Sequence, residues 1–291
     1  MFIDIHVHVR KTPGPLRPDG GRFATPEELL QQYDAMGVEA AVVLPAGSPE
    51  FESHPQSVDD VLEICRLHPG RFIPFCNLDP RAVGNAPNAP LGDVLRFYRD
   101  RGCKGIGELT ANLPFLDPLV QNLFRHVQDV GWPLIFHIAP EIGGNYGLYD
   151  DPDLPQLEQC LQRFPDLRFL GHSQAFWAEM APLREVKDRW GYPKHPVETE
   201  GRVPLLMRQY PNLLGDLSAG SGCNALTRDA AYAVRFLDEF QDRLFFGTDI
   251  CRPFQTCPLP AFLLGLRESG EISETVFRKI ARDNAVRLLG L

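Results

Sequence analysis

Short runs of β-branched, aliphatic and aromatic residues recur along the chain, and between them the apolar positions fall at helical spacing. The runs are FIDIHVHV (2–9), EAAVVLP (39–45), RFIPFCNL (71–78), KGIGEL (104–109), PLIFHIA (133–139), RFLGHS (168–173), LLGDLS (213–218) and RLFFGTDI (243–250). Several are apolar almost throughout, as strands of a parallel sheet covered on both faces must be. Helix starts lie between them. Thr25-Pro26-Glu27-Glu28 is a capping box with proline at the first helical position. Ser57–Asp60 precedes VLEICRL in the same manner, and Asp117-Pro118 opens a helix to Val130. Helices are also predicted over 154–164, from Asn224 to about Phe240, and over 273–289. Eight strand–helix units in 291 residues predict an α/β fold, a closed (β/α)8 barrel. An open doubly wound sheet would carry a glycine-rich phosphate fingerprint after the first strand, and none is there.

The stretch from about 174 to 212, between the sixth and seventh strands, is too long for a connection and reads as an insertion with helical pieces, APLREVKDRW among them. KTPGPLRPDGG (11–21) and the Gly- and Tyr-rich segment 141–153 read as loops at the barrel mouth. No charge run or low-complexity tract divides the chain, so one domain over 1–291 is expected.

Polar residues on the strands change the picture most. In a barrel, ligands bind at the carboxyl ends of the strands. His6 and His8 are two apart near the end of the first strand and share a face, with Ile5, Val7 and Val9 expected to point towards the helices. Glu108 lies near the end of the fourth strand, His137 of the fifth, His172 of the sixth and Asp249 of the eighth. Four imidazoles and two carboxylates at one rim suit a divalent transition metal, zinc first, with manganese or iron as alternatives. Asp4, expected on the face of His6 but deeper, is assigned to structure and Asp216 to supporting a ligand. Lys104 begins its strand and so lies at the wrong end to be a ligand. His54, His68, His126 and His195 fall outside the strand ends. Arg10, Arg252 and Trp177 are candidate substrate contacts, with Phe176, Tyr146 and Tyr149 as candidate pocket walls.

Composition narrows the class. A net charge of −9 with scattered basic residues argues against a nucleic-acid or anionic-membrane surface, while one or two arginines still allow a small anionic substrate. Seven cysteines without a CxxC pair suggest neither a disulfide framework nor a structural zinc site. With no signal-like or membrane-spanning run, the sequence points to a cytoplasmic protein, and it is compatible with a homo-oligomer.

DIHVH (4–8), GIGEL (105–109), FHI (136–138), GHS (171–173) and FGTD (246–249), in this order, resemble the amidohydrolase superfamily. The group resembled is the amidohydrolase-2-like one, metal-dependent TIM-barrel hydrolases and decarboxylases. The resemblance implies that His6, His8, His137 and Asp249 bind one metal. His172 then ligates a second or acts catalytically by polarising the substrate. Glu108 is similar to the strand-four glutamate of TatD-type deoxyribonucleases, which bind two metals, so one or two ions are expected here. Asp249 is the expected proton carrier in hydrolysis of a lactone, ester or amide. Non-oxidative decarboxylation is the main alternative, nuclease action a lesser one, and a non-catalytic scaffold the last.

Overall fold

The structure is a computed structural model that describes residues 1–17, 20–51 and 54–291. Residues 18 and 19 of the first proline-glycine loop therefore lie outside the described residues. Strands β1 (Phe2–Val7), β2 (Val38–Val43) and β3 (Phe72–Pro74) form one parallel sheet. Strands β4 (Ile106–Leu109), β5 (Pro133–Ala139), β7 (Arg168–His172), β8 (Leu213–Asp216) and β9 (Leu244–Phe245) form the second, also parallel. The two-residue β6 (Leu148–Tyr149) pairs with β5 at its edge and was not expected. Isolated parallel bridges, Cys76 with Ile106 and Val7 with Ile250, join the sheets at both seams. The architecture is the (β/α)8 barrel, stitched at those seams by single bonds such as Asp249 N–H to His6 O (2.8 Å) rather than by full ladders.

The predicted strands run past these ladders because the chain leaves regular pairing near the mouth, where side chains take over the bonding. Helix α1 (Pro26–Met36) has its capping box, with Thr25 accepting from the N–H of Glu28, and Ser57 and Asp117 cap α2 (Val58–Leu67) and α4 (Pro118–Val130). The helix expected from Asn224 to Phe240 is two, α8 (Ala219–Thr227) and α9 (Ala230–Glu239). Asp229 breaks it by turning its carboxylate onto the N–H of Tyr232 (3.0 Å), so it caps a new helix. The segment 273–289 comprises α11 (Glu274–Arg278), a wide turn and α12 (Asn284–Leu289). Within the insertion lie α6 (Gln174–Ala178), a 3₁₀ turn at Val186–Trp190 and α7 (Arg202–Gln209), so only the second half of APLREVKDRW is helical.

Alternation places the site. Ile135, Leu170, Leu214 and Phe245 pack with Ile3, Ile5, Val42 and Phe75 inside the barrel, and Ala285 and Leu289 of α12 plug the end away from the mouth. Two residues further on, the same inward rows turn polar, at His137, His172 and Asp216. Gly247 occupies the corresponding row after β9, where an added Cβ would lie 2.9 Å from Asp216 Oδ1.

One expectation about β1 is corrected. Ile5 faces the barrel interior rather than the helices, and Asp4 does not share the face of His6. The reason is a register shift in the β1–β2 pairing between Asp4 and Val7, which breaks the two-residue period just before the histidines. Asp4 instead accepts four bonds. Its Oδ1 takes the N–H groups of His6 (2.9 Å) and Thr248 (3.0 Å), and its Oδ2 takes the hydroxyls of Thr248 (2.5 Å) and Tyr33. This carboxylate ties the first strand to the last and to α1. Asp4→Asn would aim an NH2 group at buried donors, so we expect a loss of about 2–4 kcal/mol, read from urea unfolding. A loss below ~0.5 kcal/mol would show that Asp4 is not the clasp.

Candidate metal centre

His6 and His8 owe their roles to what lies behind them. His6 Nδ1 is 2.7 Å from Asp216 Oδ2, and His8 Nδ1 is 3.3 Å from the Leu44 carbonyl. Both partners can only accept, so each Nδ1 carries a proton and each Nε2 faces the barrel mouth. These two Nε2 atoms are 3.1 Å apart. Glu108 Oε2 lies 3.2 Å from that of His8 and 3.8 Å from that of His6. Asp249 Oδ1 lies 3.7 and 3.5 Å from the same pair. Four potential ligand atoms thus converge.

The other oxygen of Glu108 serves a second set. Its Oε1 is 2.7 Å from His137 Nδ1 and 3.7 Å from His172 Nε2. His172 Nδ1 points away from the centre, 2.9 Å from Ser218 Oγ and 3.5 Å from Asp216 Oδ2. Three groups of potential ligand atoms within 4.8 Å of one another result, namely His6–His8–Glu108, His6–His172–Asp249 and Glu108–His137–His172. The family resemblance implied His6, His8, His137 and Asp249 around one ion. Here, among the described residues, His137 is grouped with Glu108 and His172, and Glu108 and His172 are each grouped in turn with His6.

The chemistry of this donor set fits a divalent cation. Ligand atoms about 2.1 Å from one ion sit about 3.0–3.4 Å apart, which matches the His6–His8 spacing and the Glu108 Oε2 contact. Electrostatics agree. Burial alone would lower the pKa of His6, but Asp216, Asp249 and Glu108 outweigh it and push it up to about 10. Burial would raise Glu108, yet His137, His8 and His6 hold its carboxyl well below the usual range. A proton on His6 therefore supplies the positive charge that the carboxylates require. A cation would displace it, so below pH 10 its affinity should climb about tenfold per pH unit for each proton released. Competition against a chelator between pH 6 and 8 measures this, and a pH-independent affinity would contradict the assignment.

Other candidate residues lie elsewhere. Trp177 is in the core rather than on a pocket wall, only 1% exposed, with its indole N–H donating to the Asp216 carbonyl (2.9 Å). Phe176 is buried beside it, and the Tyr149 hydroxyl donates to Asp151. Arg10 is buried over the Phe23 ring, donates to Gln56 Oε1 (3.2 Å) and lines a concavity with Lys11, His54 and Asp60. Arg252 sits on a loop that Gln255 folds by accepting from the N–H groups of Cys251 and Arg252. Lys104 lines a cavity with Ile3 and Leu291 at the far end of the barrel.

Sequence reasoning missed four residues. Asn77 donates from Nδ2 to the carbonyls of Glu108 (2.8 Å) and Pro45 (3.0 Å), fixing the fourth strand from the third. It lies two positions beyond inward-facing Phe75, so alternation could have found it. Ser218, two beyond Asp216, carries the same signal. Phe51 packs on His8 (ring centroids 5.2 Å) and on Tyr146 (5.0 Å), and Tyr146 packs on His137 (4.6 Å), giving the mouth an aromatic roof. Trp190, from the insertion, lines a cavity with His137. Nothing in the sequence spacing marks Phe51 or Trp190.

The sequence matches the family model described as Amidohydrolase over residues 3–291. No curated protein matches it. Among solved structures, the chain is similar to an uncharacterised TIM-barrel protein, Bb4693, of Bordetella bronchiseptica, at 19% identity and a TM-score of 0.65, covering 99% of this chain and 98% of that one. It is similar to the 5-carboxyvanillate decarboxylase LigW of Sphingomonas paucimobilis at 17% identity and a TM-score of 0.64, covering 100% and 99%. A zinc-bound amidohydrolase of Burkholderia multivorans gives 16% and 0.62, covering 100% and 99%. At these identities the likeness is one of fold.

Proposed function

We propose that this chain, which belongs to the amidohydrolase family, is a hydrolase that opens a small lactone, ester or amide at a centre for two divalent cations. The observation that carries this reading is the division of Glu108. Its Oε2 lies among the Nε2 atoms of His6 and His8 and the carboxylate of Asp249, and its Oε1 lies 2.7 Å from His137 Nδ1 and 3.7 Å from His172 Nε2, so one carboxylate stands between two sets of potential ligands. Zinc suits this imidazole-rich set, and manganese or iron would also be accepted. Bound there, a divalent cation supplies Lewis acidity, polarising a carbonyl oxygen and lowering the pKa of water from ~15.7 towards ~7.

The protein's own groups do the rest. Asp249 is the most exposed carboxylate of the cluster, with 28% of its side chain accessible against 3% for Glu108. It can therefore reach water and the leaving group, take a proton from the first and hand it to the second. His172 stays neutral, because burial lowers its pKa, and in the protein without a cation the positive charge of His6 brings it down to about 4. With its proton on Nδ1 towards Ser218 and Asp216, its Nε2 lone pair faces the centre. Asp216 holds His6 in the orientation that presents Nε2. The partner is a small molecule, and the net charge of −9 disfavours DNA.

A product-level screen of the zinc- or manganese-loaded protein tests this, against small carboxylated lactones, esters, amides, aromatic acids and DNA. Opening of a lactone, ester or amide that a chelator abolishes is expected. Carbon dioxide released from an aromatic acid, with no opening of any carbonyl substrate, would replace the hydrolase by a decarboxylase. The similarity to LigW favours that second reading.

A further inference from the structure

The insertion between β7 and β8 has no part in the two sets of potential ligands, yet its 3₁₀ turn ends beside them. Trp190, the last residue of that turn, is 49% exposed, whereas the residue before it, Arg189, is 1% exposed. Together with His137, Tyr146, Asn145 and Gln174 they line a cavity of about 210 Å³. Tyr146 is also exposed and packs on the ring of His137, a member of the Glu108–His137–His172 group. Two large aromatic side chains that are not fully buried thus line one small cavity on the flank of the centre. Leaving an indole half in water forgoes burial worth on the order of 1 kcal/mol, and small-molecule pockets are lined by such apolar and aromatic surface.

The turn is also anchored unusually. Arg189 Nη1 donates to the Asp150 carbonyl (2.8 Å), and its Nε lies 3.4 Å from Glu179 Oε1. Glu179 is itself buried and accepts the N–H of Asp153 (2.9 Å). A second fastening lies ahead of it, where Glu185 and Asp188 form a reciprocal cap. A buried guanidinium is costly unless it is paired, and this one meets the Asp150 carbonyl and the Glu179 carboxylate immediately before Trp190 in the chain.

We infer that Trp190 is a specificity-determining residue that takes the planar, unsaturated part of the substrate against its indole, and that Arg189 is the positioning residue that holds it there. This rests on reading the Glu108 cluster as the reacting centre. The cavity falls below the ~300 Å³ at the small end of drug-sized sites, so the substrate class is a single ring or a conjugated chain of similar size. Stacking of one ring on an indole contributes about 0.5–1.5 kcal/mol.

Calorimetry of the zinc-loaded protein with benzoate and with cyclohexanecarboxylate reads the inference without turnover, since the two differ in planarity and share the carboxylate. We expect benzoate to bind about fivefold to tenfold more tightly, Trp190→Phe to keep that ratio, and Trp190→Leu to bring it to about one. Arg189→Met should also collapse the ratio although Trp190 is intact, and Arg189→Lys should restore part of it. Equal affinities in the unaltered protein, or a ratio that survives Trp190→Leu, would overturn the inference, as would failure of benzoate to bind. A preserved ratio in Arg189→Met would remove the positioning role. Because no step depends on hydrolysis, failure of the hydrolase reading leaves these outcomes legible.

Discussion

Glu108→Gln is expected to lower kcat/KM by about a thousandfold or more and to leave fewer than one cation per chain, against the two proposed for the unaltered protein. The cause is the place of one carboxylate between two sets of potential ligands. Its Oε2 faces His8 and His6, and its Oε1 faces His137 and His172. A glutamine keeps one acceptor and turns an NH2 group towards the other set, so one cation position loses a ligand and the other loses the shared negative charge. A thousandfold effect asks about 4 kcal/mol of the centre, modest for the loss of an anionic ligand in a buried site. The fold should survive, because Asn77 grips the backbone carbonyl of Glu108 and not its side chain. Metal analysis, turnover and circular dichroism on one preparation test the claim. Two cations retained by a folded Glu108→Gln protein would refute the bridging role.

The sequence foretold these partners because two regular rules meet at the mouth of a barrel. Strands of a closed parallel sheet end together, so His137 and His172 were expected at one rim with Glu108 and Asp249, while Asp216, expected only to support a ligand, continues the same inward row two residues beyond Leu214. Where the period broke, the reading failed. The register shift in β1 sent Ile5 inward and Asp4 outward, against strict alternation, yet His6 and His8 still reached the centre. The division of ligands was illegible for a different reason. Which imidazole nitrogen meets which carboxylate oxygen depends on ring rotations set by distant groups, such as Asp216 for His6 and the Leu44 carbonyl for His8. The pocket wall was harder still. Trp177 carried the same aromatic signal as Trp190, but one indole donates to Asp216 in the core and the other stands in the cavity. An irregular insertion has no period from which to choose between them.

Asp249→Asn should separate proton transfer from metal binding. We expect kcat to fall by about 10²–10⁴-fold, the usual range for a lost general base, with the cation count close to that of the unaltered protein. Asparagine is the right replacement on backbone grounds. Asp249 has φ of 54°, in the left-handed region that asparagine and aspartate enter more readily than other side chains. Its N–H donates to the His6 carbonyl (2.8 Å), so its place at the seam between the first and last strands does not depend on the carboxylate. The amide retains one oxygen for the Nε2 atoms of His6 and His8, while Glu108 Oε2 remains their anionic partner. What is lost is a group that can accept a proton at neutral pH, and raising the pH cannot bring it back. The variant should therefore stay slow from pH 6 to 9, whereas a mere weakening of metal affinity would be relieved by added metal. If saturating metal restored kcat to within threefold of the unaltered protein, Asp249 would be a ligand alone and the proton would have to leave by another route.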